Sequence, residues 1–257
     1  VILRCCMEEY IQAVILIVVG FFAGVINTLA GGGSLFTLPV LIFLGLPPNI
    51  ANGTNRIAIV IQTLSGALGY KSKGISSFPF NIYLGISASI GAVIGAQIAM
   101  DLEAKMFNRI LAIILLVVGA LILINAKNLT HRLPERLTGK YLFFGIIAFF
   151  FIGIYGGFIN AGIGIVIMLF LNRFNRLSLV KTNASKTAIV FIYSSVALAL
   201  FAYQDAINWK LGLTMALGTI FGAWWASRWS VKAGEKVIRW AMLFTIGIMA
   251  IKLWFFE

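Results

Sequence analysis

The chain has 257 residues, 61% of them hydrophobic and 11% charged, with a formal net charge of +12. A soluble domain carries about a quarter charged residues, so this composition excludes an ordinary soluble fold. It also excludes nucleic acid as the meaning of the positive charge: Lys and Arg sit in short loops between apolar runs, the pattern that orients membrane helices.

Crossing a bilayer takes ~20 apolar residues, and runs of that kind lie at 11–30, 82–100, 110–124, 142–171 and 240–256. In chain order the first predicted helix covers 11–29. It is longer than a signal-peptide core, and the glycines after it make a weak cleavage signal, so it reads as a mature helix. Gly31, Gly32, Gly33 and Ser34 break it, a short apolar piece follows at 35–46, and three helices come next at 53–70, 82–100 and 109–125. The polar loop NAKNLTHRLPERLTGK closes this part.

The same order then returns. A helix at 141–159 is broken at Asn160, Gly162 and Gly164, a short piece spans 165–171, and helices follow at 184–203, 209–227 and 237–256. Gly85, Gly91, Gly95 and Ala96 match Gly212, Gly218, Gly222 and Ala223 at an offset of 127. RIAIV at Arg56 matches KTAIV at Lys186 at an offset of 130, and AGGG at Ala30 matches AGIG at Ala161 at 131. Near-constant offsets in one order indicate a duplicated chain, with a first membrane repeat at 1–130 and a second at 131–257.

The short pieces decide the topology. Twelve residues rise ~18 Å as a helix, less than the ~30 Å hydrocarbon core, so each piece is either re-entrant, giving eight spans, or a short span, giving ten. With ten spans, 13 Lys and Arg share one side against 5 on the other, leaving aside Arg56 and Lys186; with eight, the same residues divide nine and nine. The general cytoplasmic excess favours ten. The expected fold class is therefore all-α: a polytopic helical membrane protein of two inverted repeats, about five membrane segments each. The small residues of 85–99 read as a helix-packing surface.

Catalysis is disfavoured by elimination. The acidic residues Glu8, Glu9, Asp101, Glu103, Glu135, Asp205, Glu235 and Glu257 all fall in predicted loops or tails, so no carboxylate relays protons inside the membrane. His131 is the only histidine, Cys5 and Cys6 are adjacent in a predicted tail, and AGGGS lacks the Lys of a phosphate loop. No catalytic residue, metal ligand or cofactor is expected.

Neutral donors and two cations remain polar at depth: Asn27, Ser34, Asn52, Thr54, Asn55 and Arg56 in the first repeat, and Asn160, Thr182, Asn183, Ser185 and Lys186 in the second. Broken segments at matching positions of two inverted halves point to a transporter's midplane site. Helix N-termini after such breaks attract anions, and both copies put a cation at the predicted start of the next helix. Snorkelling of Arg56 and Lys186 to the headgroups is the competing explanation; for Gly31, Gly32 and Gly33 it is a tight connection between helices. Gly162, Gly164, Asn183, Ser185 and Lys186 complete the expected substrate-binding set as counterparts of the first-half residues.

AGVINTLAGGGSLFTLPVLIFLGLPPNIANGTNR, GIYGGFINAGIGI and GAWWASRWSVKAGEKVIRWAMLFTIGIMAIKLW together resemble the TauE/SafE family of membrane transporters, in order and over nearly the whole chain. The resemblance implies a permease of a bacterial or archaeal cytoplasmic membrane, associated with export of sulfite, sulfonates or other small sulfur-containing anions. In the second copy AGIG has one glycine fewer and TNASK replaces NGTNR, which argues against a symmetric site.

The expected function is a secondary carrier or facilitator for a small anion held between the halves, by one half rocking against the other. The alternatives are a passive anion channel, a carrier for another small organic anion, a partner-docking membrane subunit, and a cation carrier. Expected partners are the anionic substrate and membrane lipid, without nucleic acid; a homo-oligomer is compatible with the sequence.

Overall fold

Helices form all the regular structure of the described residues, which in this computed structural model are 2–75, 77–124 and 134–229. The expected last helix at 237–256 and the His131 loop lie outside the described residues. The helices are α1 (Ile2–Ala30), α2 (Ser34–Phe43), α3 (Pro48–Lys71), α4 (Phe80–Asp101), α5 (Ala104–Ile124), α6 (Lys140–Phe158), α7 (Ile163–Arg173), α8 (Leu179–Tyr203) and α9 (Trp209–Trp229).

Several boundaries differ from expectation, among them that of α5, which starts at Ala104 and not at 109. Cys5 and Cys6 lie within α1, which starts at Ile2 and not at 11. α3 starts at Pro48, because a proline in the first helical turn loses no hydrogen bond and presets the backbone angle. α8 starts at Leu179, capped by Ser178, whose hydroxyl accepts from the Lys181 N–H at 3.4 Å. Arg56 and Lys186 therefore stand inside helices, past the first turn, and not at helix starts.

By length and hydropathy, Glu9–Leu29, Phe80–Asp101, Lys140–Phe158 and Leu179–Tyr203 each suffice to cross a membrane. α2 and α7, with 10 and 11 residues, rise only ~15–17 Å. The surface is apolar where a soluble protein's is polar. α4 exposes Ile82, Ile86, Ile90, Val93, Ile94 and Ile98 while burying Gly91, Ala92, Gly95 and Ala96. Bulk outward and small residues inward suit a helix with lipid outside and another helix close inside.

Those small residues set which helices pair. A methyl on Gly91 or Gly95 would strike the α6 carbonyls of Phe150 or Ile154, and one on Gly218 or Gly222 would strike the α1 carbonyls of Ile17 or Phe21. α4 thus packs on α6, and α9 on α1. Each pair joins a helix of the first half to one of the second. α3 packs on α9 and α4 on α8, so the chain forms two bundles, α1–α3–α9 and α4–α6–α8, which meet along α3 and α8.

Contact order along the helices gives their directions. Gly53 lies against Phe201 and Gly66 against Thr187, so α3 and α8 are antiparallel. Gly85 lies on Ile192, and Gln204 bonds Gln97, so α4 and α8 are parallel. Gly20 meets Met215 and Gly24 meets Thr219, which makes α1 and α9 parallel; Thr54 near Asn208 and Gly69 near Ser227 make α3 parallel to α9. Arg136 and Asn175 are linked by a backbone hydrogen bond and by Asn175 Nδ2 to the Arg136 carbonyl at 2.7 Å. One end of the bundle therefore gathers Lys71, Lys73, Arg136, Arg173, Arg176, Lys181 and Arg228, and the other holds Lys105, Arg109 and Lys210.

Candidate substrate site

The site begins where α1 and α6 stop. α1 ends at Ala30, before Gly31, whose φ of 80° lies in the left-handed region that glycine adopts without a Cβ penalty. α6 ends through Asn160 (φ 60°) and Gly162 (φ 71°); asparagine is among the few other residues that tolerate this conformation. The two breaks cross in contact: a methyl on Gly31 would strike the Gly164 backbone, and one on Gly164 the Gly31 backbone. Gly33 lies as closely on Ala23 and Asn27, and the Gly32 carbonyl accepts from the Leu35 N–H at 3.1 Å.

A polar chain runs through the crossing. Tyr193 on α8 donates its hydroxyl to Asn160 Oδ1 at 2.6 Å, and Asn160 Nδ2 donates to Ser34 Oγ at 3.4 Å. Tyr155 donates to the Ala161 carbonyl. The two tyrosines escape a sequence reading because isolated aromatic residues in apolar helices default to lipid or interface positions.

Arg56 is fully buried. Its Nη2 donates to the Gly156 carbonyl at 3.1 Å and to that of Gly157, near the C-terminus of α6. Its guanidinium carbon lies 4.9 Å from the centre of the Phe201 ring. Nε and Nη1 have no hydrogen-bond partner. One turn earlier, Asn52 donates to the Phe158 carbonyl at 2.7 Å and leaves its own oxygen unpaired, while neither side-chain polar atom of the buried Asn55 has a partner. Thr54 is occupied, accepting from the Asn208 N–H at 2.8 Å.

Lys186 is also buried, so neither cation snorkels outward. Its Nζ donates to the Asn27 carbonyl at 2.9 Å, the Thr28 carbonyl at 3.2 Å and Asn183 Oδ1 at 2.8 Å, with Met168 Sδ at 3.6 Å. Asn183 Nδ2 donates to the Leu29 carbonyl at 3.2 Å. Ser185 Oγ is buried without a partner, and Thr182 donates to the Leu177 carbonyl at 3.3 Å.

Both cations thus face the C-terminal carbonyls of a broken helix, the negative end of its dipole. Neither meets a carboxylate among the described side chains: Glu9, Asp101, Glu103, Glu135 and Asp205 are all exposed. Burying an unpaired charge is expensive, and helix-end carbonyls offset only part of that cost.

The expected residues therefore form three groups. Gly31, Gly33, Ser34, Asn160, Gly162 and Gly164 build the crossing. Asn52, Asn55 and Arg56 sit at the level of Phe201, and Asn183, Ser185 and Lys186 at the opposite level, with Tyr193 between them along α8. Fifteen residues of α8 separate Phe201 from Lys186, on the order of 20 Å at 1.5 Å per residue.

Apolar helices facing outward around a buried polar centre with two broken segments define a polytopic membrane protein of the transporter class. The family profile described as "Sulfite exporter TauE/SafE" matches residues 16–253, and the chain belongs to this family of membrane transporters. It is 30% identical over 225 residues to a "Probable membrane transporter protein" of Haemophilus influenzae, covering 88% of each chain. Identity to the "Probable membrane transporter protein YfcA" of Escherichia coli is 27% over 242 residues, 93% of this chain and 88% of that one. The "Probable membrane transporter protein YunE" of Bacillus subtilis is 26% identical over 235 residues, 81% of this chain and 85% of the relative. No solved structure matches the chain significantly.

Proposed function

We propose that the protein is a secondary carrier for a small anion, an oxyanion such as sulfite, a sulfonate or a related sulfur-containing anion, in the cytoplasmic membrane. One observation carries this reading: a fully buried guanidinium whose Nε and Nη1 lack partners, on the same helix as the buried, unpaired amide of Asn55. Hydrogen bonds between guanidinium and an oxyanion are charge-assisted and among the stronger ones. An arriving anion supplies both the missing countercharge and the missing acceptors, and Asn52 and Asn55 complete its surroundings.

The fold proposed with it is ten segments in two inverted repeats. The opposite directions of α3 and α8 support that arrangement, as does the gathering of Lys and Arg at one end. Gly31, Gly32, Gly33, Ser34, Asn160, Gly162 and Gly164 form the barrier between the two cation levels. Access alternates as the two bundles, each drawn from both repeats, move against each other, rather than half against half.

Counterflow in liposomes tests the reading. Vesicles loaded with unlabelled sulfite and holding the wild-type protein transiently accumulate labelled sulfite, and Arg56→Ala abolishes the overshoot. Flux indifferent to Arg56→Ala removes the site assignment; flux without any overshoot makes the protein a channel.

A further inference from the structure

Arg56 and Lys186 do the same mechanical thing at matching positions. Arg56 leaves α3 in one bundle and holds the end of α6 in the other, through Gly156 and Gly157. Lys186 leaves α8 and holds the end of α1, through Asn27 and Thr28. Each is backed by an amide on its own helix, Asn52 to Phe158 and Asn183 to Leu29. These are two clasps across the bundle interface, on either side of the crossing.

They differ in completeness. An amine has three N–H donors, and the Lys186 donors are matched by two carbonyls and one amide oxygen, leaving none for a ligand. Arg56 keeps two nitrogens open.

We infer that Lys186 is a latch between the bundles that releases during transport, a positioning residue and not a ligand of the anion. The inference rests on the carrier reading above. What the latch holds is the segment entering the crossing: Asn27 and Thr28 precede Gly31 by a turn or less, and Gly33 packs on Asn27. The bonds from Lys186 and Asn183 tie α1 to α8, whereas α1 is otherwise seated on α9 through Gly20, Gly24, Gly218 and Gly222. Movement of one bundle on the other breaks this clasp before it breaks either small-residue seam.

The test uses the full chain with Cys5 and Cys6 replaced by serine and a reporter, Thr28→Cys, at a position 1% exposed. Reaction with a water-soluble thiol reagent is timed in liposomes beside sulfite kinetics. Loss of hydrogen bonds to a charged group predicts that Lys186→Met speeds labelling about tenfold, and Asn183→Ala, a milder change, several-fold. Because the latch acts on the movement and not on binding, Lys186→Met changes the maximal sulfite rate while KM stays within about twofold. Unchanged labelling overturns the latch, and a tenfold rise in KM with unchanged labelling makes Lys186 a ligand. Asn183→Ala decides the labelling arm if Lys186→Met fails to fold. That arm needs no substrate: a wild-type protein that moves no sulfite defeats sulfite as its cargo, while labelling still decides the latch.

Discussion

Gly31 and Gly164 lie backbone against backbone, each where the other's Cβ would be. One belongs to the break after α1 and the other to the start of α7, so the two broken segments touch where they cross. Without side chains between them, the main chains approach as closely as packing allows, and the polar groups at the crossing collect around Asn160.

Gly31→Ala strains this contact in two ways. A left-handed alanine costs about 1–2 kcal/mol, and an added methyl in a packed interior about 1–3 kcal/mol. Gly74 has a similar φ of 72° with no atom within 4 Å of its Cβ position, so Gly74→Ala carries the first cost alone. Thermal unfolding in detergent is expected to place Gly31→Ala well below Gly74→Ala. Equal midpoints would mean that the crossing is loose.

Tyr193→Phe removes the donor to Asn160 Oδ1 and leaves a buried amide oxygen unpaired, a loss of about 1–3 kcal/mol. Asn160→Gly keeps the backbone conformation but loses both side-chain bonds. Because the two changes cut one chain of bonds, the double variant is expected to be less destabilised than the sum of the single ones. Additive midpoint shifts would show that Tyr193 and Asn160 act separately.

Ser72 and Ser178 are exposed at the end of α3 and the start of α8, which lie at the same end of the bundle. In a chain without Cys5 and Cys6, Ser72→Cys and Ser178→Cys are expected to react with an impermeant reagent from the same side of the membrane. Opposite sidedness would support eight spans and contradict the ten-segment arrangement.

Much of this architecture is readable in the residues themselves. The glycine breaks and the short pieces after them follow from where Gly, Asn and charged residues interrupt apolar runs. The helix starts are less readable. Pro48 and Ser178 begin α3 and α8 earlier than hydropathy suggests, because Asn52, Asn55 and Arg56 are polar yet helical and buried inside protein. The exchange of helices between halves is not legible either. Gly91 and Gly95 announce close approach to some helix, but only three-dimensional packing identifies it as α6. The same holds for the cations: their spacing in sequence pairs them, and the fold reveals that they hold the ends of different helices.

The central claim is that an anion binds the open nitrogens of Arg56. Equilibrium binding of radiolabelled sulfite to the purified protein measures it most directly, with Arg56→Ala and Lys186→Met beside the wild type. Charge-assisted bonds of this kind are worth about 1.5–3 kcal/mol each, so Arg56→Ala is expected to weaken binding at least about tenfold, with Lys186→Met unchanged. Wild-type affinity in folded Arg56→Ala protein would contradict the account.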